Sequence, residues 1–187
     1  MTKRKRSPGA SAAAAPLALS HPFWRFSIAV YRQPDVAQEC LALQSALDID
    51  VNVLLFGAWL GAERRLRLDK ADIGKIARRV ARWHKDTVRP LRAIRQDLKR
   101  SAEIVQPGVQ SLRKKVAAIE LLAEQIEQAM LFRMASTIGR SSFDPPHLLV
   151  ADNMALIIAR ATRKRAKSFD APALAQAAAR RARKPSR

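Results

Sequence analysis

Apolar residues return every three or four positions along most of this chain, and nowhere do they alternate with polar ones long enough to suggest a strand. The pattern predicts an all-α fold, a single compact helical domain of about six to seven helices. Ser20 and Pro22 read as a cap and first-turn proline for a helix over "FWRFSIAVYR", which Gln33 and Pro34 end. Pro34 opens a second helix, "PDVAQECLALQSAL". Asp48 or Asp50 then caps a third, within "DVNVLLFGAWLG" at residues 50–61, with Gly61 at its exit. This stretch is the most apolar of the chain. Asp50 on one side and Glu63, Arg64 and Arg65 on the other keep it well short of the roughly 20 apolar residues a membrane span needs. It predicts a buried helix.

Asp69, with Asp72 three residues on, forms a capping-box-like pair for a fourth helix, "DKADIGKIARRVARWHKDTV", which Pro90 separates from a fifth, "PLRAIRQDLKRSAE". Pro107 and Gly108 mark a turn before a long sixth helix from about Ser111 to Met134. "STIGRSSFDPP" reads as a loop, and "HLLVADNMALIIARA" as the last core helix. The alanine-rich "APALAQAAARRARK" beyond it could form a short helix, marginal on its own. The expected organisation is a basic tail at 1–21, a helical domain at 22–159 and a second basic tail at 160–187, both tails disordered by composition. The amino-terminal stretch has a basic head, but its alanines are interrupted by Pro16 and lack the sustained apolar core of a secretory signal.

The charge of +19 is unevenly spread. Residues 64–100 hold fourteen basic and four acidic residues, net +10, whereas 22–63 are net −3 and 101–159 net −1. Successive residues about 100° apart put Ile73, Ile76, Val80 and Trp83 on one arc of the fourth helix, and Lys75, Arg78, Arg79, Arg82, Lys85 and Arg89 on the other. The fifth helix sets Leu91, Ile94 and Leu98 against Arg92, Arg95 and Lys99. Like charges at these spacings repel by a few tenths of a kcal/mol per pair, so an anion is expected to offset them. Glu120, Glu124 and Glu127 share a face of the sixth helix and could supply part of it from within; three carboxylates cannot neutralise nine cations. The candidate outside partners are nucleic acid, a phosphorylated ligand or an acidic protein, set against the plainer reading of a solvated face. Trp83 is the single aromatic residue in 64–100 and lies on the apolar arc, so backbone contact rather than base stacking is expected.

Catalytic chemistry finds little support. No glycine-rich phosphate loop or nucleophile elbow is present. The glutamate row lacks the Glu-x-x-His pattern of carboxylate metal bundles, and His21, His84 and His147 are scattered, so neither a metal nor a cofactor is expected. Cys40 reads as a buried small hydrophobe, and a single cysteine suits a reducing cytoplasm. Asn52, Phe56 and Trp59 share a helix face and could edge a small-ligand pocket; the plainer reading makes Asn52 a first-turn amide and the two aromatics core.

Phe23, Trp24, Phe26, Ser27 and Tyr31, then Val36, Cys40, Leu41, Leu43 and Gln44, then Asp50, Val51, Asn52, Leu54, Leu55, Phe56 and Trp59 carry a resemblance. It extends through Trp83, "RPLRAIRQDLK" and "IELLAEQIE", over residues 22–132. On these residues the chain resembles a proteobacterial family of uncharacterised proteins, domain of unknown function 2390. The resemblance implies a small helical domain and puts Arg92, Arg95 and Lys99 within the shared pattern; it implies no reaction, ligand or catalytic residue. The expected function is therefore that of a non-enzymatic helical protein that binds nucleic acid or a ribonucleoprotein through the fourth and fifth helices and the tails. The alternatives are an adaptor for an acidic partner and a small-ligand-binding bundle.

Overall fold

The computed structural model describes residues 16–162 and 171–182, and within them the chain is helical apart from short connections and one tiny sheet. The stretches 1–15, 163–170 and 183–187, which hold much of the two expected tails, lie outside the described residues. The helices are α1 (Pro22–Tyr31), α2 (Val36–Leu47), α3 (Val51–Glu63), α4 (Lys70–Trp83), α5 (Arg89–Arg100), α6 (Pro107–Phe132), α7 (Pro146–Thr162) and α8 (Pro172–Ala182). No helix of the described residues is long and apolar enough to cross a membrane.

α3 is the axis of the core. Asp50 caps it, its carboxylate accepting the N–H groups of Asn52 and Val53, and every residue from Asn52 to Ala62 is buried. A helix apolar on all sides needs neighbours on all sides. α3 has them: α7 and α8 along one flank, α1 and α6 along the others. Phe23, Phe56, Trp59 and Phe132 form an aromatic cluster around it, with ring centroids 5.1–5.9 Å apart. Gly61 is not an exit signal, because the helix runs on to Glu63; it lies where the α7 backbone crosses.

Three boundaries differ from the sequence pattern, each for a local reason. α1 is capped by His21 rather than Ser20, the imidazole Nδ1 accepting the Trp24 N–H at 3.1 Å. Pro107 opens α6 at its first position instead of belonging to the turn before it, as suits a residue with no N–H to donate. Pro90 does not separate α4 from α5: a π-helical turn, His84–Val88, joins them without leaving helical dihedrals. The Arg89 N–H reaches back five residues to the His84 carbonyl. Widening the ladder there tolerates a proline that cannot donate to it.

Two further elements had no clear signal. Leu66–Arg67 (β1) pairs antiparallel with Arg140–Ser141 (β2), strands of two residues each and too short for any periodicity. Asn153 fastens this corner to the core, accepting the Leu68 N–H at 2.8 Å and donating to the carbonyls of Leu66 and Gly57. Within the stretch expected as the second tail, α8 packs on the core: Leu174 and Ala178 are fully buried. Glu39 of α2 accepts the N–H groups of Ala173 and Leu174 at 2.9 and 2.8 Å, satisfying the α8 terminus.

His21 adds an acid-sensitive contribution to the stability of the fold. It is buried, stacks on Phe132 at 4.6 Å and caps α1 through an unprotonated nitrogen. Burial, and secondarily the Arg25 guanidinium, hold its pKa down to about 4, against 6.5 for an ordinary imidazole. Below pH 6.5 the unfolded chain therefore takes up a proton that the folded one refuses, and stability falls until the pH reaches about 4. Between pH 7 and 5 this group alone costs about 2 kcal/mol. His21→Asn keeps a capping oxygen but cannot titrate, so urea denaturation should show the variant losing about 2 kcal/mol less than wild type over that interval. Parallel losses in the two proteins would remove His21 as the cause.

Candidate functional site

The expected basic face divides in two. Lys75, Arg78, Arg79, Arg82, Lys85, Arg89 and Lys99 are exposed. Three of them have a carboxylate within reach: Lys75 lies 3.5 Å from Asp72, Arg82 3.6 Å from Asp86, and Arg89 3.1 Å from Asp48. Among the described residues, Arg78, Arg79, Lys85 and Lys99 have none. Trp83 points away, its indole N–H donating to the Ala123 carbonyl of α6 at 2.9 Å.

Arg92 and Arg95 face inward instead. Arg92 reaches Glu120 at 3.0 Å and Glu124 at 2.5 Å, and Arg95 is paired with Glu120 as well. Glu120 is buried, and the Arg92 side chain is only 14% exposed. These two cations hold α5 to α6 and are spent on the fold.

The third member of the glutamate row, Glu127, has no solvent exposure at all, and it organises a polar seam through the core. The His84 Nδ1 lies 3.1 Å from Glu127 Oε1 and 3.3 Å from Asp50 Oδ2. On its other side Glu127 accepts a hydrogen bond from Asn52 Nδ2 at 2.6 Å, and Asn52 Oδ1 accepts one from Gln128 Nε2 at 2.8 Å. Each member comes from a different local rule. Asp50 is there because it caps α3, Asn52 because it follows the cap, His84 because the π-helical turn begins with it, and Glu127 because it flanks the apolar stripe of α6.

The electrostatics of the seam are unbalanced. Burial, then the charge of Glu127, pushes the Asp50 carboxyl up to about 7, against the opposing pull of His84 and the two capped N–H groups. For His84, burial pulls the imidazole down, but the hydrogen bond to Glu127 and the charges of Asp50 and Glu127 outweigh it, and the net shift is upward. Two carboxylates thus compete for one imidazole nitrogen. Asp50 Oδ2 is shielded from water and, among the described residues, has no hydrogen-bond donor.

A cavity lies at each end of the seam. One, of about 350 Å³, has Asp50 and His84 in a wall otherwise made largely by Val53, Ile73, Val80 and Ile157, with Lys85 and Arg89 also lining it. The other, of about 250 Å³, is lined by Trp24, Ser27, Tyr31, Asn52, Glu124 and Gln128 among others. Of the three residues considered for a ligand pocket, Asn52 is in this second wall; Phe56 and Trp59 are 0% and 1% exposed and belong to the aromatic core. Cys40 is fully buried, and burial pushes its thiol up to about 12, far from a nucleophile's range.

The sequence pattern missed the cluster of Asp50, His84 and Glu127. One signal was present: His84 stands four residues after Val80, on the same apolar arc as Ile73, where a titratable ring is unexpected. No curated protein and no solved structure matches the chain. A family model does match, over residues 22–131, a range that includes Asp50, His84 and Glu127. The chain belongs to the family described as protein of unknown function (DUF2390).

Proposed function

We propose that this protein binds nucleic acid, alone or within a ribonucleoprotein, through the outer face of α4 and the π-helical turn that extends it. The observation that carries the reading is the run of exposed Lys75, Arg78, Arg79, Arg82, Lys85 and Arg89 along one continuous helix. At about 1.5 Å per residue they extend over about 20 Å, enough to follow several successive phosphates. Arg92 and Arg95 take no part, because Glu120 and Glu124 occupy them. With Trp83 turned inward the contact is to the phosphate backbone, without base stacking.

Anisotropy with a generic RNA and a generic DNA duplex tests this. Arg78→Glu, Arg79→Glu and Lys85→Glu together should weaken binding about 10-fold or more at low salt and lower the log–log salt slope by about 2 to 3. Unchanged affinity or slope in the triple variant would sink the reading. Affinity purification from the native host separates the alternative: complexes that survive nuclease treatment and carry an acidic protein would favour an adaptor.

A further inference from the structure

From the convergence of Asp50, His84 and Glu127 we infer a site for a first-row divalent cation, of the Mn²⁺, Fe²⁺ or Zn²⁺ class, at the junction of α3, the π-helical turn and α6. One ligand atom from each residue can be chosen so that all three lie within 4.8 Å of one another. The two nitrogen-to-oxygen spacings that define the cluster, 3.1 and 3.3 Å, fall between the ligand-to-ligand edges of about 3.0 Å (octahedral) and about 3.4 Å (tetrahedral) expected for ligands held about 2.1 Å from one ion. A hydrogen-bonded arrangement explains the geometry less well. A single Nδ1 proton can satisfy one carboxylate, and Asp50 Oδ2 is left buried without a donor among the described residues. A divalent ion held about 2.1 Å from one atom of each residue would engage all three groups at once.

The surroundings fit the same reading. Metal-bound side chains are usually oriented by partners on their far side. Here Asp50 Oδ1 is fixed by the N–H groups of Asn52 and Val53, and Glu127 by Asn52, which Gln128 clamps in turn. One imidazole with two carboxylates is a borderline donor set that prefers these ions to the purely oxygen-seeking Ca²⁺ and Mg²⁺. Three protein ligands leave coordination positions unfilled. The 350 Å³ cavity beside Asp50 and His84 provides an entry path and room for water or a small ligand on the ion. Asp50, His84 and Glu127 are turned from the exposed face of α4, though Lys85 and Arg89 of that face also line the cavity, and metal retention measured without nucleic acid reads the site separately.

The test is metal retention by the full chain. Chelator-stripped protein is equilibrated with Zn²⁺, Mn²⁺ or Fe²⁺, desalted and assayed by mass spectrometry, and Co²⁺ is added separately to read its visible d–d absorption. One ion per chain is expected, with Co²⁺ bands typical of mixed nitrogen and oxygen ligation. Asp50→Asn and His84→Gln should each weaken binding about 100-fold or more while retaining helical circular dichroism. Asp50→Asn keeps the oxygen that caps α3 and is the variant least expected to unfold. The exposed His147→Ala should bind as wild type does. Failure of the wild type to retain any of these ions would overturn the proposal. So would wild-type affinity in folded Asp50→Asn and His84→Gln, which would locate the ion elsewhere.

Discussion

Arg92→Ala is expected to lower the unfolding free energy by about 2–3 kcal/mol, below the full cost of an unpaired buried carboxylate because Glu120 keeps Arg95 and the stranded Glu124 is partly exposed. The Arg92 side chain is 14% exposed and its guanidinium bridges Glu120 and Glu124, whose side chains are 7% and 26% exposed. Its removal strands Glu124 and leaves Glu120 with Arg95 alone. Arg92→Lys should recover only part of the loss, since an ammonium cannot reach both carboxylates with the guanidinium's planar fork. Arg92→Met combined with Glu124→Gln should recover most of it, because neither charge is then unpaired. Arg78→Ala, on an exposed face, should stay within about 0.5 kcal/mol of wild type. Urea denaturation measures all four. A loss of under about 1 kcal/mol in Arg92→Ala would mean that this pairing contributes nothing net, and α5 would have to be held by its apolar edge alone.

That contrast between two arginines of one basic segment shows how far the sequence could be read. The amphipathic division of α4 holds: Ile73, Ile76 and Val80 are buried and Lys75, Arg78, Arg79, Arg82 and Lys85 exposed. On α5 the same division is present but the helix is rotated about its axis. The direction facing α6 falls between the Leu91–Leu98 edge and the Arg92–Arg95 edge, so that Ile94, on the far side of the apolar arc, is 49% exposed. Periodicity gives the arcs of a helix but not its rotation against a neighbour, which here was decided by two glutamates 25 to 32 residues away. The π-helical turn adds to this, because it breaks the α-helical phase between α4 and α5.

The candidate cation site was illegible for a related reason. Asp50 was readable as a cap, Asn52 as a first-turn amide and Glu127 as one of a row, but their joint meaning depends on His84 meeting Glu127 across 43 residues. No spacing rule for metal motifs reaches that far, since ligands contributed singly by three helices leave no local signature. α8 was half legible. Its helical character could be read from alanine content, whereas its docking depends on Glu39 of α2, 134 residues before Ala173.

Gly61→Val is expected to cost about 4 kcal/mol or more, and Gly61→Ala about 3, with the helix-propensity gain of up to about 1 from losing a glycine already counted. A Cβ at residue 61 would lie 2.7 Å from the Val150 N, 2.8 Å from the Leu149 carbonyl carbon and 3.0 Å from its oxygen. These are main-chain atoms in the first turn of α7, and no rotamer change can move them; α7 as a whole must retreat from α3. Gly57→Ala is the control one helical turn earlier. Its Cβ would meet the Ile157 δ-methyl at 2.4 Å, the free end of a side chain that can swing aside, so a change within about 1 kcal/mol is expected. Thermal and urea unfolding of the three variants should therefore rank them Gly57→Ala, Gly61→Ala, Gly61→Val in increasing damage. Equal damage at 57 and 61 would show that α7 yields as readily as a side chain, and the close approach of α3 to α7 would then not be what holds the core. Asp50 and Gly61 stand at opposite ends of α3, about 16 Å apart at 1.5 Å per residue. Gly61→Ala, while still folded, should therefore retain both the divalent ion and the exposed cations of α4, losing stability without losing either site.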